Sequence, residues 1–555
     1  MNQLQMLKRA LIAYVNSVKA VWSDILYPLS IISKRNGVLK DYRIYGNTVQ
    51  NGEPSPEAPV EMQSVGELTN KNLWRGDNYI VSNSSTKACL NYVYPDSSNP
   101  WVVSGNTVTI SATICIKDAR TNTRISVGTQ LVDGTILDTK QARYTSYGDE
   151  IRVSLAYTIP QSDVEIQRLQ IRFTDYSGNT EGVWDGYVKD IQIEYGDTAT
   201  PYEPYNKYRI GVVARGKNIF KLISSSVQNA TTIETFENGA IVQGKSSDTA
   251  SNDSYARGWF SPGYKTGSAI LPVFRGGETV TVSADITLLE LLNGTSYRPL
   301  IMLYSENGST TATKPSNQTK YIAINEKTRV YQTFVIKDTE EPLAYRPIFT
   351  LNSNVVRIEN IQIEKGDTDS KYEDYIEPQT FNIFLDEPLR KVPDASDYID
   401  FEKKLVVRNL DVKTLVGDST EGWYRENYRL FTYLSPAPTS TDSDKVLCLS
   451  NRFKESSWTY LYGNSYRTTK FIGIAIQGGG ILVVTPAQEI PSAAEWKGTL
   501  ARWNEEGNPL TVVRWNDNAP NEKIELPKLP QFKGTTVYEV DTTVKPSGMK
   551  VCYYE

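Results

Sequence analysis

Histidine does not occur anywhere in the 555-residue sequence. That absence removes Ser-His-Asp and Cys-His nucleophiles, imidazole metal ligands and imidazole general bases together. Only carboxylate, tyrosine or lysine chemistry is left. Cysteine is scarce too. Cys89, Cys115, Cys448 and Cys552 stand far apart, without the close pairs that a zinc site needs, and read as free thiols. No apolar run reaches membrane-spanning length, and polar residues at Asn16, Ser17, Lys19, Ser23 and Asp24 break any signal-peptide core near the start. Basic residues form no stripe and the net charge is -5, which speaks against nucleic acid as a partner. Gln477-Gly478-Gly479-Gly480 lacks the spacing of a phosphate-binding loop, and no spacing of acidic residues marks an EF-hand. No cofactor is expected.

What is present points to β structure. Tyrosine is abundant (35) while methionine is rare (5), and 39% hydrophobic residues suffice for packed cores. The N-terminus is the exception. Leu4, Leu7, Leu11, Tyr14, Val18, Val21 and Ile25 alternate at spacings of three and four, the seam of a short coiled coil that Pro28 ends. Such a stripe either self-associates, with a parallel trimer as the preferred form, or packs on the chain's own β domains. Residues 29–67 follow as a connector. A short strand pair is expected around Gly46-Asn47, then a stiff extended linker at Pro54, Pro56 and Pro59.

Self-comparison exposes a repeat. DIQIEYGDTATPYEPY ends at Tyr205 and NIQIEKGDTDSKYEDY ends at Tyr375, with Ile191 and Ile361 in equivalent places. Lys71-Asn72-Leu73-Trp74 matches Lys217-Asn218-Ile219-Phe220, and NTVTISATICI from Asn106 matches ETVTVSADITL from Glu278. Period-two alternation in both copies predicts many short strands between turns, hence two β-sandwiches at 68–206 and 207–378.

The segment IQIE, Gly-Asp-Thr and Tyr-Glu-Pro-Tyr resembles the close of carbohydrate-binding-module-like jelly rolls in tail-tip and baseplate proteins of phages of Gram-positive bacteria. RIYGNTVQNGEPSPEAPVEMQSVGE, VVARGKNIF, the junction from Phe381 and the C-terminal IELPKLPQFKGTTVYEVDTT resemble the same proteins. The resemblance covers residues 38–410 and returns near the C-terminus. It implies a virion protein made in the host cytoplasm, mounted on other tail proteins through its N-terminal region and gripping host cell-wall or surface polysaccharide, without membrane insertion.

Sugar C–H faces stack on aromatic rings while Asp, Asn and Gln bond the hydroxyls. The candidate carbohydrate-binding residues are Trp101, Tyr176, Trp184 and Tyr187 in the first copy, with Tyr255, Trp259, Tyr264 and Tyr304 in the second. Trp74 matches Phe220 and reads as core. Asp118, Asp190 and Glu194 are the acidic residues that a calcium ion would use, although no metal is expected. The region 379–555 reads as a β-rich domain with two strands around Glu402-Lys403 and one short helix through Ala494, Trp496, Leu500 and Trp503, capped at Gly507. Trp423, Tyr424, Trp458 and Tyr460 are its candidates for an exposed binding surface.

The expected function is therefore host recognition by multivalent sugar binding, without catalysis. A purely structural spacer is the alternative. A histidine-free depolymerase using paired carboxylates is the third reading.

Overall fold

A computed structural model describes residues 30–553 apart from 35–38, 70, 77–78, 83–88, 97–98, 117–121, 145–147, 177–185, 246–257, 293, 306–319, 338–341, 368, 427–428, 434–443, 466–472, 478–479, 485–491, 517, 528 and 531. The expected N-terminal helix, with its stripe from Leu4 to Ile25, lies outside the described residues. The chain is mainly β, and its named strand pairs are antiparallel.

Two sandwiches follow one another along the chain. In the first, Glu150–Thr158, Thr107–Ile116, Gly186–Tyr195 and Tyr79–Ser82 form one sheet in that order. Ile136–Tyr144, Asn122–Leu131, Ile166–Tyr176 and Cys89–Val93 form the other. Alternate residues such as Val108, Ile110, Ile125, Val127, Leu169 and Ile171 meet between them as the core. The second sandwich repeats the first sheet as Lys327–Val335, Thr279–Glu290, Val355–Lys365 and Gly239–Gly244, then adds Ala230–Phe236 at the edge. Its opposing sheet is built on Leu343–Thr350, flanked by Ile301–Ser305, Val273–Phe274 and Trp259–Phe260.

The remaining segments assemble into a third body that the linear reading does not contain. Ser30–Lys34, Thr535–Asp541, Tyr208–Gly216 and Gln379–Leu385 form one sheet, with Glu67–Leu68 paired to the start of Tyr208–Gly216. Glu522–Lys523, Leu405–Val407, Tyr398–Asp400, Leu39–Tyr45 and Gly548–Tyr553 form a second. Tyr42, Ile44, Ile210, Val212, Ile383, Ile399, Tyr538 and Val540 fill the space between them. This hub draws on both ends of the described chain and on the joints between the other domains.

The hub explains how the sandwiches are held. The first leaves at Leu68 and returns at Tyr208, and those two residues are register partners. The second leaves after Gly216 and returns at Gln379, which pairs with Ala214. A third insert leaves after Leu405–Val407 and returns through Glu522–Lys523, where Val406 pairs with Glu522. An insert whose two ends are already neighbours leaves the host sheet undistorted.

Two expectations for the connector are corrected. Leu39–Tyr45 and Thr48–Gln50 do not pair with each other. The former belongs to the hub and the latter pairs with Met62–Ser64. Gly46 sits against the Arg390 backbone, where an added Cβ would lie 2.2 Å from the carbonyl oxygen, so the chain changes sheets there. The proline segment is not an extended linker but the tip of that hairpin, closed by Asn51 N–H donating to Glu61 O at 2.9 Å. Its tip docks on the third insert, where Val60 N–H donates to Asn451 O at 2.8 Å and Arg452 donates to Pro56 O. Prolines that cannot join a ladder are compatible with a docked loop as well as with a spacer.

The third insert is a smaller two-sheet unit around Trp423, Phe453, Trp496 and Trp503. Its helix runs Ala493–Glu505, with Ser492 and Glu495 forming a capping box and Gly507 following the C-cap at φ 77°. A second helix, Trp458–Ser465, corrects the expectation of one. Its sequence WTYLYGNS is rich in strand-favouring rings, so propensity pointed the other way and packing on the neighbouring sheet decided it.

Candidate functional site

The residues shared by the two repeats prove to be a clasp. Asn72 Nδ2 donates to Ile191 O and Glu203 O at 3.1 and 3.0 Å, while its Oδ1 accepts from Trp74 and Ile193 N–H. Asn218 repeats this on Ile361 O, Glu373 O, Phe220 N–H and Ile363 N–H. One side chain thus ties each sandwich's entry to its exit. Beneath it, Glu194 accepts from the Thr200 hydroxyl and N–H and from Gln192, as Glu364 does from Ser370 and Gln362. Burial alone would raise the Glu194 carboxyl, yet Thr200, Gln192 and Lys71 outweigh it and hold the group below its ordinary value. Glu194 is therefore a structural acceptor. Among the described residues no cluster of acidic or cysteine side chains is gathered to hold a metal.

Two aromatic candidates are corrected. Trp101 is 2% exposed inside the first core, and Trp423 is 7% exposed, packed edge-on against Trp496 at 5.5 Å with its indole donating to Glu421. Neither ring has a face open to stack a sugar. Trp184 and Tyr255 lie outside the described residues. So does the side chain of Tyr176, which ends a strand. Tyr187 is half-buried and donates to Glu150 at 2.5 Å. Trp259 and Tyr304 are half-buried on the second sandwich, and Tyr264 is exposed with Arg346 4.9 Å from its ring centre. Trp458 lies nearly parallel to Tyr462, beside Phe431, which stacks on Tyr424. With Tyr460 exposed on the same helix, these rings form an aromatic ledge on the third insert.

The residues that the sequence reading missed line a cavity of 470 Å³ on the second sandwich: Asp285, Arg329, Asn360, Asp369, Ser370, Lys371 and Tyr372. A bulge in Val355–Lys365 places Asn360 at φ 54°, a conformation that Asn tolerates. Arg329 donates to the half-buried bulge carbonyl of Asn360 at 2.8 Å and to Ser283 at 2.6 Å, with Tyr372 5.9 Å away. The first sandwich has the same frame: Arg152 donates to Asp190 O and Ser111 near Tyr202. The charged residues are what differ. Asp285, Asp369 and Lys371 stand where the first copy has Thr113, Ala199 and Pro201, and Asn360 stands where it has Asp190.

Asp285 is fully engaged, by Arg329 at 3.2 Å, Asn360 Nδ2 at 2.8 Å and Lys327 at 3.4 Å. Asp369 is not. Its Oδ1 lies 3.8 Å from Arg329 Nε, beyond hydrogen-bond range, and both atoms are buried without a hydrogen-bond partner. Buried polar groups are normally paired, so this gap is hydrogen-bonding capacity left unused. The signal available in the sequence was the cluster of departures at Asp369 and Lys371, which stand where the first copy has Ala199 and Pro201, between the shared Gly-Asp-Thr and Tyr-Glu.

No family model matches the chain, and neither does any curated protein. Among solved structures, it is similar to the N-terminal CBM22-1-CBM22-2 tandem domain of a Paenibacillus barcinonensis protein, at 8% identity and a TM-score of 0.20, covering 54% of this chain and 98% of that one. Melon necrotic spot virus also matches, at 10% identity and a TM-score of 0.10, covering 61% and 97%. At those scores neither likeness bears on function.

Proposed function

We propose that this chain is a non-catalytic host-recognition protein of a phage tail tip or baseplate that binds surface carbohydrate. The observation that carries the carbohydrate reading is the cavity of the second sandwich. It combines a carboxylate with an unused acceptor, a guanidinium with an unused donor, a lysine and a tyrosine ring in a volume suited to one or two sugar rings. Both carboxylates are held toward one guanidinium, an arrangement that can fix a ligand's hydroxyls. The hub supports the assembly side of the reading, because it presents three inserts from one body. Mounting on other tail proteins and trimerisation are assigned to the N-terminal residues with the Leu4–Ile25 stripe. Several weak sites carried on one particle would then add through effective concentration.

The test is calorimetric titration of the full chain with oligosaccharides released from host cell walls. Binding is expected, and Asp369→Ala, which installs the residue found at Ala199, is expected to weaken it about tenfold, or about 1.4 kcal/mol. Absence of binding, or equal binding by the variant, overturns the assignment to this cavity. Incubation with the same polysaccharide is expected to release no new reducing ends.

A further inference from the structure

The cavity of the second sandwich opens beside a ring that the first sandwich lacks. Val330 and Phe334 point into the core, so Arg329, Tyr331 and Thr333 face the other way on Lys327–Val335. Arg329 reaches across the sheet to Ser283, the register partner of Tyr331. Directly opposed residues hold their Cβ atoms about 5 Å apart, so the guanidinium ends near the foot of Tyr331. One step further along, Thr281 donates to Gly366 O at 2.8 Å and Thr333 donates to Asp367 O at 3.4 Å. The chain that carries Asp369, Lys371 and Tyr372 thus crosses this face beside Thr333 before it reaches the cavity wall. Tyr331 stands between the two, 52% exposed. In the first sandwich Arg152 reaches Ser111 in the same way, and the residue opposite Ser111 is Ser154.

The cavity lining is balanced in charge. It holds two acids, Asp285 and Asp369, and two bases, Arg329 and Lys371. An ionised ligand meets like charge there as well as opposite charge, and gains little for the solvation it gives up. A hydroxyl-rich, uncharged ligand gives up no ionic solvation. Asp285 is taken up by Arg329, Lys327 and Asn360. Asp369 is partly exposed and accepts no hydrogen bond among the described residues, so its carboxylate is the acceptor that remains for a hydroxyl.

We infer that the site takes a neutral oligosaccharide across two subsites, one sugar unit in the cavity with a hydroxyl on Asp369 and the next with its C–H face on Tyr331. Successive outward positions on a strand stand roughly 7 Å apart, a separation that neighbouring units of one glycan chain cover. Tyr331 offers a flat apolar face with a polar tip, and only two side-chain torsions are fixed when a sugar covers it. Charge balance in the cavity selects uncharged units, and the ring beside it selects a chain over a single unit. The inference rests on the reading of the cavity as a glycan site and adds the class of glycan and the residue that sets its length.

The probes are the neutral, acidic and basic fractions of oligosaccharides released from host cell walls, separated by ion exchange and titrated into the full chain, with the monosaccharides that hydrolysis of the bound fraction yields. The neutral fraction is expected to bind, with an affinity that changes less than about twofold between low and physiological salt. Tyr331→Ser, which installs the residue found at Ser154, is expected to weaken oligosaccharide binding about tenfold and to leave monosaccharide binding, read by ligand-observed NMR, unchanged. Tyr331→Phe keeps the ring and is expected to bind as the wild type does. Both variants are expected to retain the thermal unfolding midpoint, because this side chain lies outside the core. Asp369→Ala is expected to weaken oligosaccharide and monosaccharide alike. Equal oligosaccharide binding by Tyr331→Ser overturns the inference. So does binding confined to the acidic or basic fraction and lost in Asp369→Ala, a result that leaves the cavity a glycan site. Binding of no fraction overturns the inference together with the reading on which it rests.

Discussion

The two sandwiches share a sheet frame and differ in what that frame turns outward. In the first, the sheet carrying Ile166–Tyr176 shows arginine and glutamine to its outer side. In the second, the equivalent sheet carries Met302 and Ile348 at such positions, 2% and 1% exposed and apart from the inner core cluster. The segment that follows Phe260 contributes here: Pro262 is buried, and Tyr264 stands over Arg346. The opposite sheet shows the reverse difference, with acids and a cavity in the second copy where the first has Thr113 and Ala199. Duplication retained the clasp that closes each insert, and the surfaces diverged. Residues common to both copies include the clasps that close each insert, and residues that differ set the chemistry of each surface.

The largest expected effect separates buried from half-buried tryptophan. Trp101→Ala is expected to cost about 3–5 kcal/mol in denaturant unfolding, and the half-buried Trp259→Ala clearly less. Equal costs would erase the difference between the two rings. Next comes the clasp. Asn72→Ala and Asn218→Ala each strand two backbone N–H groups and two carbonyls, so each is expected to lose about 2–3 kcal/mol, and by similar amounts. A large cost in one sandwich alone would show that the two clasps are not equivalent.

A smaller effect concerns acid. At the joint of the second sandwich, Glu539 receives Arg215 at 2.7 Å and lies 3.5 Å from Lys365. Burial alone would raise its carboxyl, but the two cations outweigh it and bring the group from 4.5 down to about 2. A depressed carboxylate stabilises above its unfolded value, so that contribution is complete above about pH 4.5 and is lost as pH falls toward about 2. Hydrogen-exchange protection factors at the Tyr208–Gly216 and Thr535–Asp541 pairing, taken relative to intrinsic rates at each pH, are expected to fall across that window, and Glu539→Gln to remove the dependence. The joint of the first sandwich uses Glu67 with Arg209 and Thr543. Glu67 is also lowered, the burial that would raise it being outweighed by those partners. The smallest effect is Glu67→Gln. The Glu67–Arg209 pair is about one-third exposed, so about 0.5 kcal/mol or less is expected in thermal unfolding.

Much of this was legible residue by residue. Alternation in NTVTISATICI and ETVTVSADITL marked strands, the Trp496–Leu500–Trp503 spacing marked a helix, and the match of Trp74 with Phe220 marked core. The cavity was not legible, because Asp285, Arg329 and Asp369 come from three strands or turns and meet only through register. The helix at Trp458–Ser465 was hidden by rings that favour strands.

The sequence by itself determined where many of the strands lie and that Asn72 and Asn218 are equivalent, because period-two alternation and the repeat can be read along the chain, but only the structure showed those asparagines closing entry to exit over more than a hundred residues. Tertiary structure alone decided which strands are neighbours, and so it made a hub from Leu39–Tyr45, Tyr208–Gly216, Gln379–Leu385 and Thr535–Asp541. It also decided which rings reach solvent. Alternation tells a strand that it has two faces, but only the partner packed against one of them decides which face is sealed.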